Sequence, residues 1–157
     1  MAVISNVHKY TIKHIKDTED ALEIPAYPNS NNAVSIEDNL ISIFYNDMYG
    51  TAHDIPIALK LKSNWVFDLI TDADLQELYG NRIRKKIRQY KSRFFEINAY
   101  FPGEGWMKGT FYLGTPMKIK SVYGGHDDGT IDYWSMELHW IEVDGEKLLS
   151  PLDPIVE

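Results

Sequence analysis

The sequence contains no cysteine. That excludes a disulfide framework and thiol chemistry, and it suits a protein assembled in a reducing cytosol. No stretch approaches the roughly 18 consecutive apolar residues of a membrane-spanning helix. The opening Met1-Ala2-Val3-Ile4-Ser5-Asn6-Val7-His8 lacks a basic segment followed by an apolar block, so no secretory signal is expected. A phosphate-cradling glycine loop, a nucleophile elbow and a cysteine nucleophile are all missing. The five histidines are scattered. His8 and His14 are six apart, a spacing that suits joint metal ligation on neither helix nor strand.

Basic charge is scarce except in one place. The formal net charge is −7, from 16 Lys and Arg against 23 Asp and Glu. Residues 82–93 hold seven of those cations and no acid, and removing them leaves −14 for the remainder. An acidic body argues against general nucleic-acid binding, because duplex binders present a basic face. At 157 residues and 44% hydrophobic content, the chain suits one globular domain.

The basic stretch lies in the segment around which the sequence is organised, residues 81–101. Ile83, Ile87 and Tyr90 fall at i, i+4, i+7, the spacing of one helical face. Arg82, Arg84, Lys85, Lys86, Arg88 and Lys91 occupy much of the rest. After Ser92 and Arg93 the period becomes two, with Phe95, Ile97, Ala99 and Phe101 on one side of a strand. A basic amphipathic helix therefore runs almost directly into an aromatic-rich strand.

Upstream, Val3 through Ile15 alternates weakly and predicts a short strand or an extended arm. Residues 24–32 are turn-rich with two prolines, and residues 1–34 read as an arm without a core of its own. Ser35-Ile36-Glu37-Asp38 has the form of a helix start. Ile36, Leu40, Ile43 and Phe44 then predict a helix closing near Gly50. Residues 51–64 have no clear period, and Trp65 to Ile70 fits a buried short helix or strand. Thr71 or Asp72 caps a further helix with Leu75, Leu78 and Tyr79 inward, and Gly80 is a place for a kink.

Downstream the pattern is β. Strands are expected at Phe94–Phe101 and 106–113 around the turn Pro102-Gly103-Glu104-Gly105, and again at 117–122. A strongly alternating strand is expected at 130–143, with Trp134, Met136, Leu138 and Trp140 on one face. Asp144-Gly145 marks a turn before a short strand, and the proline-containing tail is expected to be irregular. The class predicted is α+β: an N-terminal arm, two or three helices, then a small, mostly antiparallel sheet.

Chemistry is thin. His126-Asp127-Asp128 sits in a glycine-bounded turn, weak for a hard cation and more economically a solvated loop. Glu96 and Glu104 are a pair of acids with nothing to fix their separation. No catalytic, metal or cofactor site is predicted. Trp106, Trp134 and Trp140 are candidates for a sheet edge or interface, against the alternative that one-faced aromatics build the core.

Together these segments resemble the small baseplate-wedge, sheath-initiating protein of contractile-tailed phages and type VI secretion baseplates. The resemblance runs over residues 35–122. It rests on Ser35-Ile36, Leu40-Ile41-Ser42-Ile43, Gly50, Pro56, Val66-Phe67-Asp68-Leu69-Ile70-Thr71-Asp72, and the helix bearing Ile83, Ile87, Arg88 and Tyr90. The family ends that helix in Glu-Pro-Arg; here Lys91 and Ser92 replace the first two and Arg93 matches. Residues 35–122 then correspond to a wedge-like domain, and 123–157 to a C-terminal β extension and tail.

The resemblance implies a non-enzymatic virion component. It is built in the host cytoplasm and templates the tail sheath through an exposed sheet edge. Other wedge proteins and the sheath protein are the partners it implies; no membrane partner is expected, and the acidic body disfavours nucleic acid. Arg93, Arg88, Lys85, Lys86, Tyr90 and Lys91 become the partner-binding residues. The alternatives are another tail or neck structural or adaptor protein, a defence-modulating binding protein, or a lysozyme-like hydrolase, for which no residue-level support is found.

Overall fold

Residues that alternate in polarity, or that are β-branched or aromatic on both faces, form strands through most of this chain. In the computed structural model the described residues are 2–24, 33–101, 103–114, 117–123, 127, 129–130 and 132–147. The strands are β1 (Val3–Ile4), β2 (Thr11–His14), β3 (Leu22–Glu23), β4 (Ala33–Asn46) and β5 (Ala52–Thr71). After the helix come β6 (Phe94–Phe101), β7 (Gly105–Leu113), β8 (Lys118–Tyr123), β9 (Tyr133–Glu142) and β10 (Glu146–Lys147). One helix of 19 residues, α1 (72–90), lies between β5 and β6. The predicted α+β class with two or three helices is thus corrected to a mostly antiparallel sheet with one helix.

The difference comes from residues 33–71. The segment expected to be a Ser-Ile helix is β4, paired antiparallel along its whole length with β5. Ile36, Leu40, Ile43 and Phe44 fit a helical stripe, but Ile41, Ile43 and Tyr45 fit a strand face equally well. A run that is apolar on both sides cannot be assigned by period, and its β-branched and aromatic content decides. Gly50, expected to end a helix, lies instead in the hairpin turn at φ +81°. There the Asp47 carboxylate accepts hydrogen bonds from the Tyr49 and Thr51 amides at 2.9 and 3.0 Å. Pro56 interrupts the period of β5 at a register shift opposite Ile41 and Ser42, a bulge where a missing amide is tolerated.

The strand order is β10-β5-β9-β7-β6-β2-β3, with β4 on β5, β8 on β9 and β1 on β7. Only Phe111–Leu113 of β7 meets β9, opposite Trp140, Ile141 and Glu142. Buried side chains from β2, β5, β6, β7, β9 and α1 form one core. Trp140 sits at the centre, edge-on to Trp65 at 5.5 Å and to Phe95 at 5.3 Å. The expected inward face of β9 is observed, with Met136, Leu138 and Trp140 buried. The β6–β7 hairpin also follows its expected alternation, and Phe95, Ile97, Ala99 and Phe101 are buried.

The segment read as an N-terminal arm packs on the body of the chain. Its β2 pairs with β6 on one side and β3 on the other, and Ile12 and Ile24 are buried in the core. At β1, Ala2 lies so close to Gly109 that a Cβ there would come within 2.9 Å of its Cα. The carboxylate of Glu142, buried on the core face of β9, accepts from the Ala2 and Leu61 amides. The expected turns at 25–32 and around His126 and Asp128, and the tail from 148, lie outside the described residues.

Helix α1 opens as expected, with the Thr71 hydroxyl accepting from the Asp74 amide at 3.3 Å. Leu75, Leu78 and Ile83 are buried, and Tyr79 packs against the core. Between Gln76 and Arg84 the helix widens, and the Lys85 amide bonds back to the Gly80 carbonyl, five residues earlier. This widened turn surrounds the glycine expected to mark a kink. Each such turn uses more residues than an α turn, so the inward face moves along the sequence. Lys86, just beyond the widened turn, is buried.

Candidate functional site

The basic helix divides into two sets. Arg82 and Lys86 face the segment after β2: Lys86 Nζ lies 3.1 Å from Asp17 Oδ1, and Arg82 Nη1 lies 2.8 Å from Glu19 Oε2. Arg82 also donates to the Asp20 carbonyl. Burial pushes the Asp17 carboxyl up, but the Glu19 amide, the Lys86 ammonium and the Arg82 guanidinium outweigh it and hold it below the usual carboxylate range. The hydrogen bond to Asp17 correspondingly raises Lys86, against the opposing effect of desolvation. Lys86 is therefore a clamp between the N-terminal segment and α1. It is buried, which is the opposite of the exposure its expected partner-binding role requires.

Tyr90 is also engaged internally, stacked on the buried His14 ring at 5.0 Å. The Nδ1 atom of His14 accepts the Lys16 amide, so its Nε2 donates to the Ser92 carbonyl at 3.0 Å. Arg84 lies over the Tyr79 ring. Lys85, Arg88, Lys91 and Arg93 are exposed. Lys91 ends the helix in the left-handed conformation, φ 52°, and Arg93 follows with its guanidinium 5.3 Å from the Tyr112 ring centre. Among the expected partner-binding residues, these four form the accessible set.

The tryptophans separate similarly. Trp140 is a core residue and lies at no edge. Trp134 is half-buried, and its indole donates to the Asp72 carboxylate at 2.9 Å, tying β9 to the start of α1. Trp106 is half-buried under His8, Tyr10 and Tyr100. Of the two acids weighed as a pair, Glu96 lies 3.2 Å from Lys108 Nζ.

The feature that sequence reasoning missed is the outer part of the β4–β5 hairpin. Strand β9 covers β5 only from Lys62 to Thr71, and β10 reaches Ala58 and Leu59. Beyond Ala58 the two strands continue as a ribbon that, among the described residues, pairs with no other strand. At its tip Met48 and Tyr49 are 89% and 87% exposed. Along its length Leu40, Ile43, Phe44 and Tyr45 are exposed as well, with Phe44 at 65%. The charge of this region is one-sided: residues 41–57 contain Asp47 and Asp54 and no Lys or Arg. The tip is braced by His53, whose Nε2 lies 2.9 Å from Asp47 Oδ2 and whose ring stacks on Tyr45. That contact and the backbone amides hold the Asp47 carboxyl below its usual range. The signal available in the sequence was Leu40-Ile41-Ser42-Ile43-Phe44-Tyr45, apolar on both faces and uncharged.

Among the described residues β4 pairs only with β5, so its outer backbone edge is open over 14 residues. A cavity of about 160 Å³ lined by Leu22, Glu23, Asp74, Glu77 and Leu78 falls below the roughly 300–1,000 Å³ of small-molecule sites. No group of three or more His, Asp or Glu residues among the described residues is placed to hold a metal. No helix among them is long and apolar enough to cross a membrane. No protein-family model matches the chain, and no curated protein sequence matches it.

Proposed function

We propose that this chain is a non-catalytic assembly protein that docks to other proteins through the β4–β5 ribbon and the exposed cations at the end of α1. The observation that carries this reading is the ribbon itself, a projecting element with large apolar side chains on both faces. Exposed apolar surface of that kind marks an interaction site. The open edge of β4 adds backbone donors and acceptors that another chain's strand would complete.

The setting we propose is the contractile-tail baseplate suggested by the resemblance, with wedge and sheath proteins as partners. The Ser-Ile segment, being a strand, no longer supports that setting. What supports it is a helix running straight into β6, with Arg88, Lys91 and Arg93 exposed at the joint, and a long free edge suited to templating. A photo-crosslinking residue at Tyr49, introduced in the cells that make the protein, tests the docking function. A discrete adduct that sediments with tail particles and disappears in a Phe44→Asp background is expected. No adduct at any stage of assembly would reject ribbon docking. An adduct that never sediments with tails would reject the baseplate setting alone.

A further inference from the structure

We propose that the surface receiving the ribbon is the α1–β6 joint of a second copy of this chain; this inference rests on the reading of the ribbon as a docking element. The joint is both basic and apolar. Lys91 and Arg93 are exposed there, and the Ile15 amide bonds to the Phe94 carbonyl at 3.2 Å, bringing Ile15 and Lys16 alongside. Ile15 and Phe94 keep 49% and 40% of their surface in solvent. The ribbon offers the complement: between Ile41 and Ile57 it carries exposed apolar side chains with Asp47 and Asp54 and no Lys or Arg. Opposite charge around apolar contact sets partner and orientation.

The contact cannot form within one molecule. Phe94 lies opposite Tyr112, Tyr112 opposite Ile141, and Ile141 opposite Lys62, so the joint sits level with Lys62 along β5. From Lys62 the strand runs ten residues further to Ala52 at the turn, about 33 Å at the rise of a β-strand. A hydrogen-bonded ribbon of that length points away from its own joint. A neighbour's joint is the matching surface, and because ribbon and joint are different patches the contact is head-to-tail. Repetition of such a contact closes a ring or extends a filament.

Native mass spectrometry and light scattering of the full-length chain test the proposal, using wild type, Phe44→Asp and Arg93→Glu. Both substituted side chains are exposed, and an unchanged thermal melt verifies that each variant is folded. The wild type is expected to form oligomers that weaken about tenfold or more as salt rises from about 50 to 500 mM. Each variant alone is expected at monomer mass. Their equimolar mixture is expected to give heterodimers and nothing larger, because each partner supplies one intact patch. A wild-type chain that stays monomeric at about 100 μM, or variants that fail to complement each other, would overturn the second copy as occupant. If Tyr49 still crosslinks another protein in cells, ribbon docking survives that failure; if it does not, both readings fall.

Discussion

Two buried tryptophans differ in how their indole N–H groups are satisfied. Trp65 donates to the hydroxyl of the buried Ser63 at 2.9 Å, whereas the Trp140 Nε1 finds no acceptor among the described residues. Replacing either by phenylalanine removes buried volume and costs stability. At Trp65 the replacement also strands the Ser63 hydroxyl, while at Trp140 it removes an unsatisfied donor. Trp65→Phe is therefore expected to destabilise by about 1 kcal/mol more than Trp140→Phe. Urea unfolding of the two variants measures this directly, and equal midpoints would refute it.

At the scale of elements, the Asp17–Lys86 contact joins the N-terminal segment to α1. Asp17 has a depressed pKa in the folded chain, so its contribution is fully present above the unfolded carboxyl value of about 3.9. It is lost as pH falls through the lower folded value. Asp17→Asn is expected to lower the melting temperature by about 5 °C at pH 7. It should also flatten the loss of stability as pH falls below about 4. Thermal melts across that range check both, and an unaltered acid limb would argue against the clamp.

The same contact marks a boundary of what the sequence makes legible. Strands β6, β7 and β9 each have one face on the core, so their alternation can be read directly. The helical period places Ile83 inward, as observed, but the burial of the Lys86 charge depends on Asp17, which only the fold brings to it. Residues 40–45 mislead for a different reason. Among the described residues both faces of the ribbon carry exposed apolar side chains, so no buried face imposes alternation on them. Composition finds the exposed cations at the joint but not their apolar neighbours Ile15 and Phe94, because β2 and β6 meet only in the fold.

For the whole molecule, the ribbon is separable from the body. The core residues of β5, Trp65, Phe67 and Ile70, all lie in the half that β9 covers. Replacing residues 42–57 by a two-residue Asn-Gly turn, which keeps Ile41 opposite Ala58, is expected to leave the melting temperature within about 3 °C of wild type. The same deletion removes Phe44, Tyr45, Met48 and Tyr49 and should abolish self-association, leaving a monomer by light scattering. A large loss of stability would show that the ribbon belongs to the folding unit after all.

The uneven pairing of β5 also has a consequence for timing during synthesis. Its partner β4 immediately precedes it, so that hairpin closes locally, whereas β9 is made much later and β1 and β2 wait for β7 and β6. A ribosome that has just released Thr71 has exposed a hairpin with both faces bare and two unclaimed edges. Such edges are templates for misassociation between nascent chains. The interval until β9 emerges is then the period of greatest vulnerability, and the rate of elongation past α1 sets its length.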